Sequence, residues 1–146
     1  MAIPPIPSHL TLEIVTPDRA LAHAEVDEVE IPAEDGYIGV LPGHTPLLTS
    51  LQIGEMWYRK GAEKFFLSVA FGFAEVRPNH VTVLAQVAER AEEIDVARAE
   101  TERRRAEARL VKPSSGAVDR DAERARIALL KSLVRLQVSS KARTRG

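Results

Sequence analysis

The hydrophobic period of this chain changes once, near residue 90, and that change limits the folds open to it. Before it, apolar residues alternate with polar ones in short runs. Leu10, Leu12 and Ile14 alternate with Thr11 and Glu13, and Val26, Val29 and Ile31 sit among Asp27, Glu28 and Glu30, with Pro32 expected to close the segment. A period of two lines one face of a strand. Gly36, Gly39, Gly43, Gly54, Gly61 and Gly72 punctuate the runs. Lys60–Glu63 reads as a turn between Met56-Trp57-Tyr58 and Phe65-Phe66-Leu67, and Pro78-Asn79-His80 as another between residues 73–76 and 81–87. Closely spaced strand and turn signals predict a β-sandwich of about ten short strands over residues 1–88.

From Glu92 onward the pattern is helical. Residues 94–110 are rich in Ala, Glu and Arg and hold no Gly or Pro, a strong helix-forming composition. Their apolar positions are mostly small (Ala97, Ala99, Ala106, Ala108), so this helix can approach another backbone closely but buries little surface. Lys112-Pro-Ser-Ser-Gly116 breaks it. A second helix is predicted from about Val118 to Val138, with Asp119 and Asp121 in the first turn, where the helix dipole favours negative charge. Ile127, Leu130, Val134 and Val138 recur at helical spacing, widened by Leu129, Leu133 and Leu136. Residues 89–146 thus read as a two-helix hairpin with a basic, frayed tail. The fold class is a mostly-β sandwich followed by a segregated α-helical hairpin. Alone such a hairpin is marginal and must dock on something.

The net charge of −1 hides an asymmetry. Residues 1–87 hold five basic and eleven acidic residues, and residues 88–146 hold fifteen and ten. A late basic excess suits either an interaction surface or a solvated helix face. With no cysteine there are no disulfides or thiolate metal sites, which fits the cytoplasm. The proline-broken start is no signal peptide, and no run of about 18 apolar residues is present to span a membrane.

Catalytic patterns are missing. His44 lies in Leu41-Pro-Gly-His-Thr-Pro46 without a nucleophile pattern, so a structural or contact role is favoured over catalysis. His9, His23, His44 and His80 fit no zinc spacing, Glu34-Asp35-Gly36 fits no calcium loop, and no phosphate-binding glycine loop occurs. The chain reads as a binding or coupling part with no metal site, and not as an enzyme.

Gly36-Tyr-Ile-Gly-Val-Leu-Pro-Gly-His-Thr-Pro-Leu-Leu48 closely resembles the signature loop of ATP synthase epsilon subunits. Val69-Ala-Phe-Gly-Phe-Ala-Glu-Val76 resembles that family's glycine-bearing strand, Asn79–Ala85 its last strand, and Ile94-Asp-Val-Ala-Arg-Ala99 its nucleotide-associated motif. The four fall in the family's order, and the resemblance runs from about His9 to Val138. It implies a non-catalytic central-stalk subunit of the proton-transporting synthase, at the cytoplasmic face of the cell inner membrane and peripheral to it. The sandwich would grip the gamma subunit and sit on the c-ring, with Glu34, Asp35, Tyr37, Leu41, Pro42 and His44 as contact residues. The hairpin would inhibit ATP hydrolysis, with Arg124, Arg126, Lys131 and Arg135 facing an acidic tip on the catalytic beta subunits beside their alpha partners. No obligatory cofactor is implied, and ATP is a candidate regulatory ligand. Ile94, Asp95, Arg98, Ala99 and Arg135 match the ATP motif, whereas Lys131 stands where ATP-binding relatives carry Arg and so lacks the planar fork. The rival reading is a stand-alone nucleotide-sensing or nucleic-acid-binding module. The acidic first part and the lack of a reader motif weigh against nucleic acid.

Overall fold

The computed structural model describes residue 3 and residues 5–111 and 119–142. Two compact units follow one another, Met1–Arg90 and Ala91–Gly146.

The first unit is one seven-stranded sheet folded over on itself. Its strands are β1 (Leu10–Val15), β2 (Ala20–Val26), β3 (Glu28–Ala33), β4 (Gly36–Val40), β5 (Leu47–Lys60), β6 (Glu63–Arg77) and β7 (His80–Arg90), hydrogen-bonded in the order β2-β1-β7-β6-β5-β3-β4. Every pairing is antiparallel except β1 with β7.

Seven strands among the described residues, and not about ten short ones, make the two layers. The reason lies in the three long strands, which pass through both layers and change their buried phase on the way. β5 buries Leu51, then Met56 and Tyr58; β6 buries Leu67 and Val69, then Ala74 and Val76; β7 buries Val81, Val83 and Ala85, then Ala88. The bend in β6 falls at Phe71 (φ 63°) and Gly72 (φ 120°). A Cβ on Gly72 would collide with the Leu84 carbonyl oxygen and stand 2.9 Å from Ala85 Cα, so only glycine lets β6 and β7 meet there. Pro32 does not close β3. It pairs with Tyr37 of β4, and the β5 ladder is irregular between Glu30 and Ala33, where a missing N–H is tolerated. Likewise His80 belongs to β7, opposite Arg77, rather than to the preceding turn.

The core between the layers holds Leu10, Leu12, Ile14, Val29, Ile31, Val40, Met56, Val69, Val81 and Val83, all fully buried. Each such side chain stabilises the fold by about 1.5–3 kcal/mol relative to exposure.

The second unit opens with a short 3-10 turn at Ala91–Glu93, then α1 (Val96–Val111) and α2 (Asp119–Ser139), which pack against each other. α1 begins at Val96 rather than at residue 94 because Asp95 is its cap. The Asp95 carboxylate accepts from Arg98 N at 3.0 Å, and its carbonyl accepts from Ala99 N at 3.0 Å. The buried positions of α1 are Ala99 and Ala106, and Ala125, Ser132 and Val138 are fully buried in α2. Small side chains permit the close approach that the sequence predicts. The Lys112–Gly116 break, the start of the second helix at Val118 and the end of the basic tail lie outside the described residues.

Candidate partner-binding surfaces

The two loops that bracket β4 carry the contact residues expected from the sequence. Glu34 and Asp35 are exposed at the β3–β4 turn, with Glu34 N donating to Thr49 Oγ1 at 3.4 Å. Tyr37 is 58% exposed yet pinned, since its hydroxyl accepts from Glu55 N at 3.3 Å. In the following loop Gly43 takes φ 89° and donates to the Pro78 carbonyl at 2.7 Å, and His44 N donates to the Leu41 carbonyl at 3.1 Å. His44 Nδ1 lies 2.7 Å from the Thr45 carbonyl, so that nitrogen carries the proton and donates. The backbone thereby occupies the nitrogen, and the ring braces a turn that presents the exposed Leu41 beside Pro42.

Sequence reasoning missed a second surface on the outside of the sheet. Ser50 of β5, Phe73 of β6, Leu84 of β7 and Val15 of β1 stand opposite one another in successive registers, so they form one row across four strands. Phe73 and Leu84 are 58% and 53% exposed, Val15 lies at their side, and Leu48, two residues from Ser50 on the same strand face, is 71% exposed. The signal was present: Leu84 falls out of phase with the buried Val81, Val83 and Ala85, and Phe73 with Ala74 and Val76. A contiguous exposed apolar band of this kind marks a contact surface.

In the helical unit, Arg98 Nε donates to Glu102 Oε1 at 3.1 Å and Arg135 Nη1 donates to Glu102 Oε2 at 3.0 Å. One carboxylate, also missed from the sequence, therefore draws together two of the residues matched to the nucleotide motif. Ile94 and Ala99 are buried and Asp95 serves as the α1 cap. Of the four expected inhibitory cations, Arg126 is held by Glu123 at 3.0 Å, Arg135 by Glu102, Lys131 is half-buried, and Arg124 is exposed. Arg103 bonds Glu100 at 2.7 Å and Glu107 at 2.8 Å, and those carboxylates, Glu100 foremost, raise its pKa further above the usual guanidinium range.

Among the described residues no group of three potential ligands could hold a metal ion, and no helix is long and apolar enough to cross a membrane. Exposed loops, an apolar band and a helical pair laced by ion pairs are the surface features of a protein-binding subunit.

Residues 9–91 match the β-sandwich domain of the ATP synthase delta/epsilon chain, and residues 92–140 match its long α-helix domain. An ATP synthase epsilon chain of Solibacter usitatus is 45% identical over 136 residues, covering 93% of this chain and 99% of that one. The epsilon chain 2 of Syntrophotalea carbinolica is 45% identical over 132 residues, covering 90% and 94%. Among solved structures, a chain in the Euglena gracilis mitochondrial ATP synthase (OSCP/F1/c-ring) superposes with TM-score 0.77 at 25% identity, covering 88% of this chain and 80% of that one. A chain of the Tetrahymena thermophila central stalk and c-ring shares the fold at TM-score 0.58 and 13% identity, covering 91% and 95%. The chain belongs to the ATP synthase epsilon-chain family, and is thus a non-catalytic stalk subunit of an enzyme complex.

Proposed function

We propose that this subunit transmits rotation between a membrane rotor ring and the catalytic hexamer, at the cytoplasmic face of the cell inner membrane, and restrains ATP hydrolysis through its helices. The single observation that carries the coupling role is the exposed row Phe73–Leu84–Val15 with Leu48 beside it. Its chemistry suits an apolar face of the gamma subunit, and the polar Glu34–Tyr37 turn with Leu41, Pro42 and His44 suits polar loops of a c-ring. In this reading the coupling part is residues 1–88 and the regulatory part residues 89–146. The solved assemblies that contain the similar chains hold F1 and a c-ring or a central stalk with its c-ring, which supports these partners. Reconstitution tests the reading. The full chain should co-purify with gamma and the catalytic subunits, and Phe73→Asp with Leu84→Asp should abolish that without unfolding it. Co-purification unaffected by both substitutions would overturn it.

A second reading, regulatory ATP binding, rests on Arg98 and Arg135 meeting at Glu102. Two guanidinium forks this close suit phosphate oxygens. Calorimetric titration of the full chain with ATP tests it, and an absence of heat at millimolar ATP would remove it. The family assignment brings with it no cofactor.

A further inference from the structure

Two histidines hold one carboxylate on the outer face of the sheet, one row away from the exposed apolar residues. Register sets successive rows on that face. Val15, Leu84, Phe73 and Ser50 form the apolar one. Two residues along each strand, His23 of β2, Glu13 of β1, Thr82 of β7, Glu75 of β6 and Leu48 of β5 form the next. Beyond it lie Glu25, Thr11, His80 and Arg77. His23 Nδ1 stands 3.4 Å from Glu13 Oε1, and His80 Nε2 stands 3.3 Å from Glu13 Oε2, so each carboxylate oxygen has its own imidazole. The other charged groups of these two rows are Glu25, exposed on β2, and Glu75, which takes the Arg77 guanidinium at 2.7 Å. One step further out, His9 lies 3.1 Å from Asp27, an acceptor of its own. Three carboxylates against one guanidinium leave the two rows acidic while the rings of His23 and His80 are neutral, and protonating both rings balances them.

We infer that His23 and His80, acting through Glu13, make docking of the gamma subunit on this face tighten as pH falls. The inference rests on the coupling reading, in which the apolar row and Leu48 meet gamma, because a partner seated there covers the adjoining rows as well. Histidine is the side chain whose charge ordinarily changes between about pH 5 and pH 8. In the free chain water screens all three groups, since the side chains of His23, Glu13 and His80 are 72%, 35% and 32% exposed, and pairs so exposed contribute little. Under a partner that water leaves, and the Glu13 carboxylate then needs compensation. Two imidazoliums supply it through charge-assisted hydrogen bonds, one to each oxygen, whereas two neutral rings supply hydrogen bonds without charge. Docking therefore draws protons onto the rings, and by linkage added protons favour docking. The gain in affinity is full where both rings are already protonated in the free chain. It fades as pH rises until they are neutral even in the complex.

The test measures the affinity of the full chain for catalytic assembly, gamma included, that has been stripped of this subunit. Wild type, His23→Gln with His80→Gln, and Glu13→Gln are each compared at about pH 8 and about pH 6, the range over which histidine titrates. Titration of the partner's own groups is common to all three and cancels when the two-pH ratios are compared. The expected result is a wild-type ratio about fivefold or more above that of the paired Gln variant, tighter at the lower pH. Glu13→Gln should lose this extra gain although both histidines remain. Melting curves at both pH values confirm folding, and Glu13→Gln serves alone if the paired substitution unfolds the sheet. A wild type whose ratio equals that of the variants, or that loosens relative to them on acidification, overturns the inference and leaves the coupling reading standing. Failure of every variant and the wild type to bind at either pH removes the coupling reading, and this inference with it.

Discussion

The hydroxyl of Tyr37 lies directly over the backbone of Gly54. A Cβ added at Gly54 would meet Tyr37 Oη at 2.7 Å and Pro32 Cβ at 2.8 Å, and the Tyr37 hydroxyl accepts from the next backbone N–H, that of Glu55. A bare stretch of β5 thus seats an aromatic side chain that is otherwise largely in solvent. Gly54→Ala should dislodge the ring and cost about 1–3 kcal/mol, the usual range for overpacking. Thermal melts would show this, and Tyr37→Phe in the Gly54→Ala background should recover part of the loss. An unchanged melting temperature would show that Tyr37 has room to move aside.

Gly72 is constrained more severely, by both space and dihedral. At φ 120° an L side chain is strained, and its Cβ would run into the Leu84 carbonyl on β7. Backbone has no rotamer by which to yield. Gly72→Ala should therefore destabilise by more than about 3 kcal/mol, beyond the range of most single substitutions. Denaturant unfolding measures it, and a loss under about 1 kcal/mol would mean that the bend reorganises cheaply.

These two glycines mark where the sequence is readable and where it is not. Alternation over Leu10–Ile14 and Val81–Ala85 identifies strands because each stays within one layer. The same rule overcounts strands in β5 and β6, because a chain that passes round a bend changes its buried phase without ending. The Ala-rich α1 is legible from composition, but its start is set by the Asp95 cap. Site residues are harder for the same reason. The apolar row exists only through register, which sets Phe73 of β6 against Leu84 of β7 and Leu84 against Val15. Arg98 and Arg135 meet at Glu102 although 33 residues separate Glu102 from Arg135.

Asp27 ties the β5–β6 turn to the bend between β2 and β3. Its carboxylate accepts from Gly61 N at 2.6 Å and from His9 at 3.1 Å, and Arg59 stands 3.8 Å away. The Gly61 hydrogen bond, foremost, holds its pKa below the ordinary carboxylate value; desolvation, next in size, opposes it, and His9 and then Arg59 add to the lowering. A carboxylate with a depressed folded pKa stabilises fully above its unfolded value, near pH 4, and loses that contribution as pH falls through the folded one. Asp27→Asn should therefore melt below the wild type at pH 7, with the gap closing as pH falls below about 4. A gap that stays constant over that range would show that the charge of Asp27 contributes nothing.

Glu102 gives the regulatory-ATP reading a test with a definite sign. Its two oxygens occupy the positions on Arg98 and Arg135 that phosphate oxygens would need, so ligand and carboxylate compete for the same forks. Glu102→Gln removes the competing charge and keeps the shape. In the free chain it should loosen the helical pair slightly, by about 0.5–1 kcal/mol, because Glu102 and Arg98 are exposed enough for solvent to screen them. Toward ATP the effect should be opposite, with affinity rising by roughly tenfold as a repulsive carboxylate leaves the site. Calorimetry on wild type, Glu102→Gln and the double variant with Arg135→Gln decides it. ATP binding that weakens in Glu102→Gln, or survives unchanged when Arg135 is also replaced, would place any nucleotide elsewhere on the molecule.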